Sequence, residues 1–261
     1  MYLPEKIQAL VGDASYTCDS IGKSGAAVLC YPEAVLKIAP YEEKFEKSVE
    51  MLRWLQGRLP VPQVLCAMTE GGMQYLLMSR MPGKMSCDRE FIRDNDCLAQ
   101  LLANAIKMLW TVDTTHCPRV RTLEDDLAEA RQRVAEGLVD VEDCEPETFA
   151  PGGFRDPEEL LHWLEENKPE LEPVFSHGDL CLPNVFVEDG RISGFIDLGD
   201  CGVSDKWRDI ALCYRSLHHN VAGRYASEPN PDFDPDILFE KLGITPDREK
   251  LRYYILLDEL F

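Results

Sequence analysis

The sequence predicts an α+β chain in two lobes: a small antiparallel-sheet lobe carrying one helix, then a larger, mostly helical lobe. Three observations lead there. Up to about residue 80, short β-branched or apolar segments are separated by Gly, Pro or acidic turns. After RMPGK (80–84) the apolar spacing changes to that of amphipathic helices. At 261 residues and 45% apolar composition, the chain is long for one domain and short for three, which suits two lobes sharing an interface. The expected division is 1–79, a connector at 80–84, and 85–261.

The elements follow in order. SYTCDS, AAVLCY and AVLKIA read as strands, with the glycines of GKSGAAV (22–28) between the first two. KFEKSVEMLRWLQG places apolar residues at 45, 49, 52 and 55, a helical period that stops at Gly57. PVPQVLCAMTEGGMQYLLMS reads as two strands hinged on Gly71-Gly72. CLAQLLANAIKMLWTVD (97–113) is a strong amphipathic helix, and TLEDDLAEARQRVAEG and DPEELLHWLEENK each open on a capping residue. Two short strands, VFVE and ISGFID, joined by the Asp189-Gly190 turn, interrupt the helices, which return from Asp205. EPNPDFDPD (228–236) reads as a Pro/Asp loop, the expected flexible insertion.

Composition narrows the function. The formal charge of −20 repels phosphate backbones, which speaks against nucleic acid; it would attract a cationic small molecule, although solubility alone also explains an acidic surface. No apolar run reaches the ~18 residues of a membrane span, and the start lacks the pattern of a secretory signal, so a cytoplasmic protein is expected. The ten cysteines form no C-x-x-C pair and read as buried thiols rather than zinc ligands. DVEDCEPE (140–147) concentrates five carboxylates in eight residues, suited to a solvated loop or a cation-binding wall.

A nucleotide requires a cover for its phosphates, a cation facing them, and metal-holding oxygens. GKSGAAV is the candidate cover, although a tight hairpin explains it equally. Lys37, in the apolar segment VLKIA, is either a phosphate-facing cation or an edge-strand lysine that snorkels outward, and in the first case the next helix should supply its carboxylate. HGDLCLPNVFVEDGRISGFIDLGD (177–200) carries Asp179 at a strand exit, Asn184 opening the next strand, and Asp197 ending ISGFID. Carboxylate and amide oxygens suit Mg²⁺, which takes few protein ligands. Asp179 would orient the attacking hydroxyl and receive its proton. The remaining histidines His116 and His162 read as surface residues, and the four tryptophans as packing.

The chain resembles the aminoglycoside 3′-phosphotransferases, a family with a protein-kinase-like fold. HGDLCLPNVFVEDGRISGFIDLG is similar to that family's catalytic and metal-binding segments, VSDKWRDIALCYRSL continues the likeness, and LLMS, WLQGRLPVPQVL and YYILLDELF extend it across roughly residues 14–261. The resemblance implies Asp179 as catalytic base and Asn184 and Asp197 as magnesium ligands. It implies Lys37 and Ser24 near the phosphates of ATP or GTP, and Ser79 and Met81 at the adenine through backbone groups, with Met78 behind. Asp209 would brace His177. Glu145, Glu259 and the terminal carboxylate of Phe261 would grip a cationic aminoglycoside, in a monomer or weak dimer.

Three positions depart from the family pattern. Ser48 stands where the helix glutamate is expected, so that Glu46 or Glu50 shifts in to pair with Lys37 or the pair is absent; Asp200 stands where an arginine usually follows the metal segment; and His218, His219 and Asn220 occupy an otherwise acidic substrate loop. Two other readings therefore stay open on sequence: a kinase for another amino sugar or metabolite alcohol, and a nucleotide-binding protein without turnover.

Overall fold

The strand-like segments of the first eighty residues pair into one antiparallel sheet. In the computed structural model, which describes residues 3–19, 26–226 and 228–261, helix α1 (Glu5–Val11) precedes β1 (Thr17–Asp19), β2 (Ala27–Cys30) and β3 (Ala34–Pro40). Helix α2 (Phe45–Leu55) then leads to β4 (Val64–Glu70) and β5 (Met73–Ser79). The order across the sheet is β1-β2-β3-β5-β4. The second helix in this part, α1, is an addition to the sequence reading, which placed only one there. It carries a single buried residue, Ile7, too few to mark a period.

Chain 80–83 leads from β5 to β6 (Lys84–Met85), α3 (Arg89–Ile92) and α4 (Asn95–Trp110), the last burying an almost unbroken stripe from Leu98 to Leu109. Helix α5 (Leu123–Ala135) starts on a reciprocal capping box between Thr122 and Asp125, and α6 (Pro157–Glu166) on the Asp156 carboxylate. Each such cap contributes about 1 kcal/mol. Strands β7 (Pro173–Ser176), β8 (Val185–Glu188), β9 (Arg191–Phe195) and β10 (Gly202–Asp205) precede α7 (Lys206–Val221), α8 (Ile237–Leu242) and α9 (Arg248–Asp258). An antiparallel sheet lobe therefore precedes a helical one, as the sequence predicts.

The β8–β9 hairpin closes where expected, with Asp189 and Gly190 both at positive φ. The 228–236 loop forms no helix or strand, but it is tethered at both ends. Asn230 N–H donates to Val221 O, and the Asp236 carboxylate accepts from Tyr214 Oη and Arg248. Among the thiols, Cys66, Cys144, Cys201 and Cys213 are buried as expected, whereas Cys18 and Cys97 are exposed. Among the described residues no helix is long and apolar enough to cross a membrane.

Two hydrophobic clusters organise the interior. One lies between α1 and the sheet and contains Ile7, Leu29, Leu36 and Leu77. The other spans the helices and also takes in Met51, Leu52 and Leu55 from the inner face of α2. Trp54 on α2 meets Phe175 on β7 at 5.9 Å, and Phe195 N–H donates to Pro60 O. Fully burying three such side chains contributes roughly 5–9 kcal/mol, so α2 is anchored to the helical part.

Candidate active site

The loop after β7 is shaped by one buried carboxylate. Asp209, on the first turn of α7, is fully buried and accepts from Ser176 Oγ (2.9 Å), His177 N–H (2.8 Å) and Gly178 N–H (3.0 Å). Burial pushes its carboxyl up, while the nearby His177 and these donors pull the other way. The His177 ring in turn bonds Ile196 O through Nε2 at 2.9 Å. Gly178 has φ +87°, and a Cβ there would lie 2.4 Å from Asp200 O, so only glycine fits. Asp209 braces His177 as the resemblance implied.

Beyond the turn, Asp179 is held on both sides. Asn184 Nδ2 donates to its Oδ2 (3.1 Å) and its backbone O (2.9 Å), and Cys181 Sγ donates to Oδ1 (3.1 Å). Asn184 lies in a 3₁₀ turn (Leu182–Asn184) just before β8 rather than in the strand itself. Ser86 Oγ, bonded to Leu182 O, and Ser216 Oγ, accepting Leu182 N–H, fix that turn from two helical-lobe elements. Because the Asn184 amide nitrogen is engaged with Asp179, its oxygen is the atom left to face a cation. Ile196 N–H donates to Asn184 O, which sets Asp197 beside Asn184.

Asp197 has φ +59°, in the left-handed region that non-glycine residues seldom adopt. Its Oδ1 accepts from Lys37 Nζ at 2.8 Å. The edge-strand explanation of Lys37 fails, because β3 is paired on both sides, with Lys37 opposite Val28 and Leu76. The expectation that the following helix supplies its carboxylate is also corrected. Ser48 Oγ bonds back to Lys44 O within α2, Glu46 accepts from Tyr41 Oη, and the partner of Lys37 is Asp197.

The second departure from the family pattern is locally compensated. Asp200 pairs with Arg121 (3.1 Å), which also bonds the buried Asp126 and Glu129 (2.9 Å). Asp126 is bound by Arg208, whose Nε donates to Gly178 O at 3.0 Å. A charged chain therefore links the segment after Asp197 to the turn before Asp179. Sequence reasoning missed Arg121 and Arg208. The only available signal was a pair of arginines beside short buried segments.

At the end of β5, just before the connector, Met78 is buried and Ser79 is tied to Gln63 through its N–H and its hydroxyl (2.9 Å each). Met81 packs its side chain on Gly194, where a Cβ would meet the Met81 methyl at 2.0 Å. The N–H of Met81 has no partner among the described residues. Ser24 lies outside the described residues.

Beside Cys181, whose Sγ bonds Asp179, opens a cavity of about 210 Å³ lined by Asp140, Asp143, Glu145, Asp258 and Glu259, with Arg215, His219 and Arg224 among them and Phe261 at the rim. The three residues expected to grip a substrate thus converge. They differ in availability. Glu259 has a buried side chain whose oxygens accept from Glu145 N–H (2.9 Å) and Arg215 (3.3 Å), and burial pushes its carboxyl up. Glu145 is half-buried and bonded to His219 at 3.1 Å; burial acts to raise its carboxyl, but His219, Arg215 and Arg224 bring it below the usual range. The terminal Phe261 O accepts from Arg133, whose guanidinium also lies 5.9 Å from the Phe261 ring. Asn220 is not part of this wall, because its amide bonds back to Ser216 O.

Comparison with known proteins agrees with this geometry. The phosphotransferase enzyme family (APH) matches residues 22–253. An aminoglycoside 3′-phosphotransferase of Enterococcus faecalis is 43% identical over 83% of this chain and 78% of its own, and one of Niallia circulans is 37% identical over 99% and 97%. The solved aminoglycoside phosphotransferase APH(3'')-Id of Streptomyces rimosus, in complex with ADP and streptomycin, superposes with a TM-score of 0.78 at 25% identity, covering 97% of this chain and 95% of that one. A kinase-like site on this fold, matched along nearly its full length, makes the chain a member of the phosphotransferase enzyme family, within its aminoglycoside phosphotransferase group.

Proposed function

We propose that the chain transfers the γ-phosphate of ATP or GTP to the 3′-hydroxyl of an aminoglycoside, in the cytoplasm and as a monomer or weak dimer. One observation carries this reading: Asp179 is bonded through Asn184 toward the segment of Asp197, the partner of Lys37, and through Cys181 to a cavity whose five carboxylates outnumber Arg215, Arg224 and His219. An acidic cavity suits an acceptor bearing several ammonium groups. The named activities of the relatives at 43% and 37% identity point the same way.

In this reading the two parts meet across chain 80–84, residues 1–79 carrying most of the nucleotide contacts and 85–261 the catalytic and acceptor contacts. The adenine edge meets the connector backbone at Ser79 and Met81, with Met78 behind it. The described residues hold no cluster of three His, Cys, Asp or Glu side chains able to bind a metal. The Asn184 amide oxygen and the Asp197 carboxylate nevertheless form a pair of hard oxygen donors, which fits Mg²⁺ completed by phosphates and water. When bound, that ion would neutralise charge on the β- and γ-phosphates. Lys37 leaves Asp197 for the phosphates. Asp179, already held by Asn184 and Cys181, accepts the hydroxyl proton through Oδ1, the oxygen on the Cys181 side. Glu145 and Phe261 orient the acceptor, and Ser24 covers the phosphates.

An ADP-release assay across aminoglycosides with and without a 3′-hydroxyl tests the proposal. Turnover with kanamycin-type compounds that vanishes for the 3′-deoxy members is expected. Equal turnover of both sets would overturn the regiochemistry, and none with any aminoglycoside would overturn the acceptor class.

A further inference from the structure

Glu145 lines the cavity proposed for the acceptor, yet its carboxylate already has a hydrogen-bonding partner from its own chain. His219 Nε2 lies 3.1 Å from the Glu145 carboxylate, and both residues line the cavity. The imidazole is packed on one side, where the Tyr225 ring meets it edge-on at 5.8 Å and Tyr225 N–H bonds His219 O. The neighbouring acids are likewise matched internally. Arg215 pairs with Asp258 and Glu259, and Arg224 pairs with Asp143 at 3.7 Å. Among the described residues, Asp140 is the cavity-lining acidic side chain with no cationic partner within ion-pair distance.

We propose that His219 is a specificity-determining residue that occupies the Glu145 carboxylate in place of a substrate ammonium, so that a cationic acceptor binds there only by displacing the imidazole. The proposal rests on the acceptor reading above and refines it. The net attraction of the cavity at Glu145 is reduced by its own histidine, which selects acceptors whose amines are strong enough and well enough placed to compete. Polyamines that offer only diffuse charge are rejected, because a half-buried pair is replaced at a profit only by a better-placed one.

The test is a double-mutant cycle on KM for one kanamycin-type acceptor, with His219→Ala, Glu145→Gln and the two together, and with calorimetric acceptor affinity as a second readout. His219→Ala should lower KM about two- to fivefold, Glu145→Gln should raise it, and in the Glu145→Gln background the histidine substitution should have no effect. A KM that is unchanged or raised in His219→Ala, with Glu145→Gln still raising it, overturns the proposal and leaves the acceptor reading intact. Glu145→Gln without effect instead overturns the placement of the acceptor in this cavity. Nucleotide affinity and melting temperature, measured on each variant, show whether the fold is kept, and His219→Leu, which retains bulk without a donor, replaces His219→Ala if it is not. An equal shift in both Glu145 backgrounds would assign His219 a purely packing role and also overturn the proposal.

Discussion

Lys37 and Asp197, 160 residues apart in sequence, meet at 2.8 Å across the cleft. Their pair joins the central strand of the sheet to the end of the β8–β9 hairpin, and both side chains are partly exposed. Such a pair contributes little to stability, about 0–1 kcal/mol. It is therefore free to open when phosphates arrive. Lys37→Ala is expected to raise KM for the nucleotide about tenfold or more while moving the melting temperature by less than about 3 °C. A loss of stability without a change in nucleotide KM would show the pair to be structural.

Asp179 should separate chemistry from binding. Asp179→Asn keeps the shape and the Asn184 contact but removes the proton acceptor, so kcat should fall by about 10²-fold or more. Nucleotide affinity by calorimetry should stay within about twofold of the parent. Undiminished turnover would reassign the base.

The Arg121 chain gives a third prediction. Asp126 is almost wholly buried and is held by Arg121 and Arg208. Removing one guanidinium leaves a buried carboxylate half-paired. Arg121→Ala is expected to cost about 3 kcal/mol in denaturant unfolding and to lower kcat, because Asp200 and the Asp197 segment lose their anchor. Asp200→Asn, at the exposed end of the chain, should cost under about 1 kcal/mol.

Acid sensitivity has a definite source at Glu172. Hydrogen bonds from Lys206 and Lys250 hold its carboxyl down at about 2, against an ordinary 4.5. A depressed carboxyl adds stability above pH 4.5 and loses it as pH falls toward about 2. The melting-temperature gap between the parent and Glu172→Gln should therefore be constant above about pH 5 and shrink below pH 4.5. A gap that widens on acidification would contradict the assignment.

What could be read from the sequence was local. The periods of KFEKSVEMLRWL and CLAQLLANAIKMLW gave α2 and α4, Thr122 and Asp156 marked helix starts, and Asp179, Asn184 and Asp197 stand in order within one stretch of chain. Helix α1, at seven residues, is too short to declare a period. For Lys37 the sequence offered Glu46, Glu50 or no partner, all judged along α2, whereas ion pairs form wherever folding brings charges together, here at Asp197. The same holds for Asp200, whose lost cation is replaced by Arg121 from the start of another helix. His219 was seen as a missing acid; that it bonds Glu145 depends on a contact 74 residues away.

Met51, Leu52 and Leu55 give α2 a mechanical role as well. A helix whose inner face belongs to the larger interior moves with that interior. Met78 of β5 belongs to the same interior, so α2 and the end of β5 form one frame with the helices, and closure over a bound nucleotide would bend the rest of the sheet against it. Lys37 sits on the moving leaf and Asp197 on the stationary one, so how far the jaw opens would be reported by the separation of those two side chains.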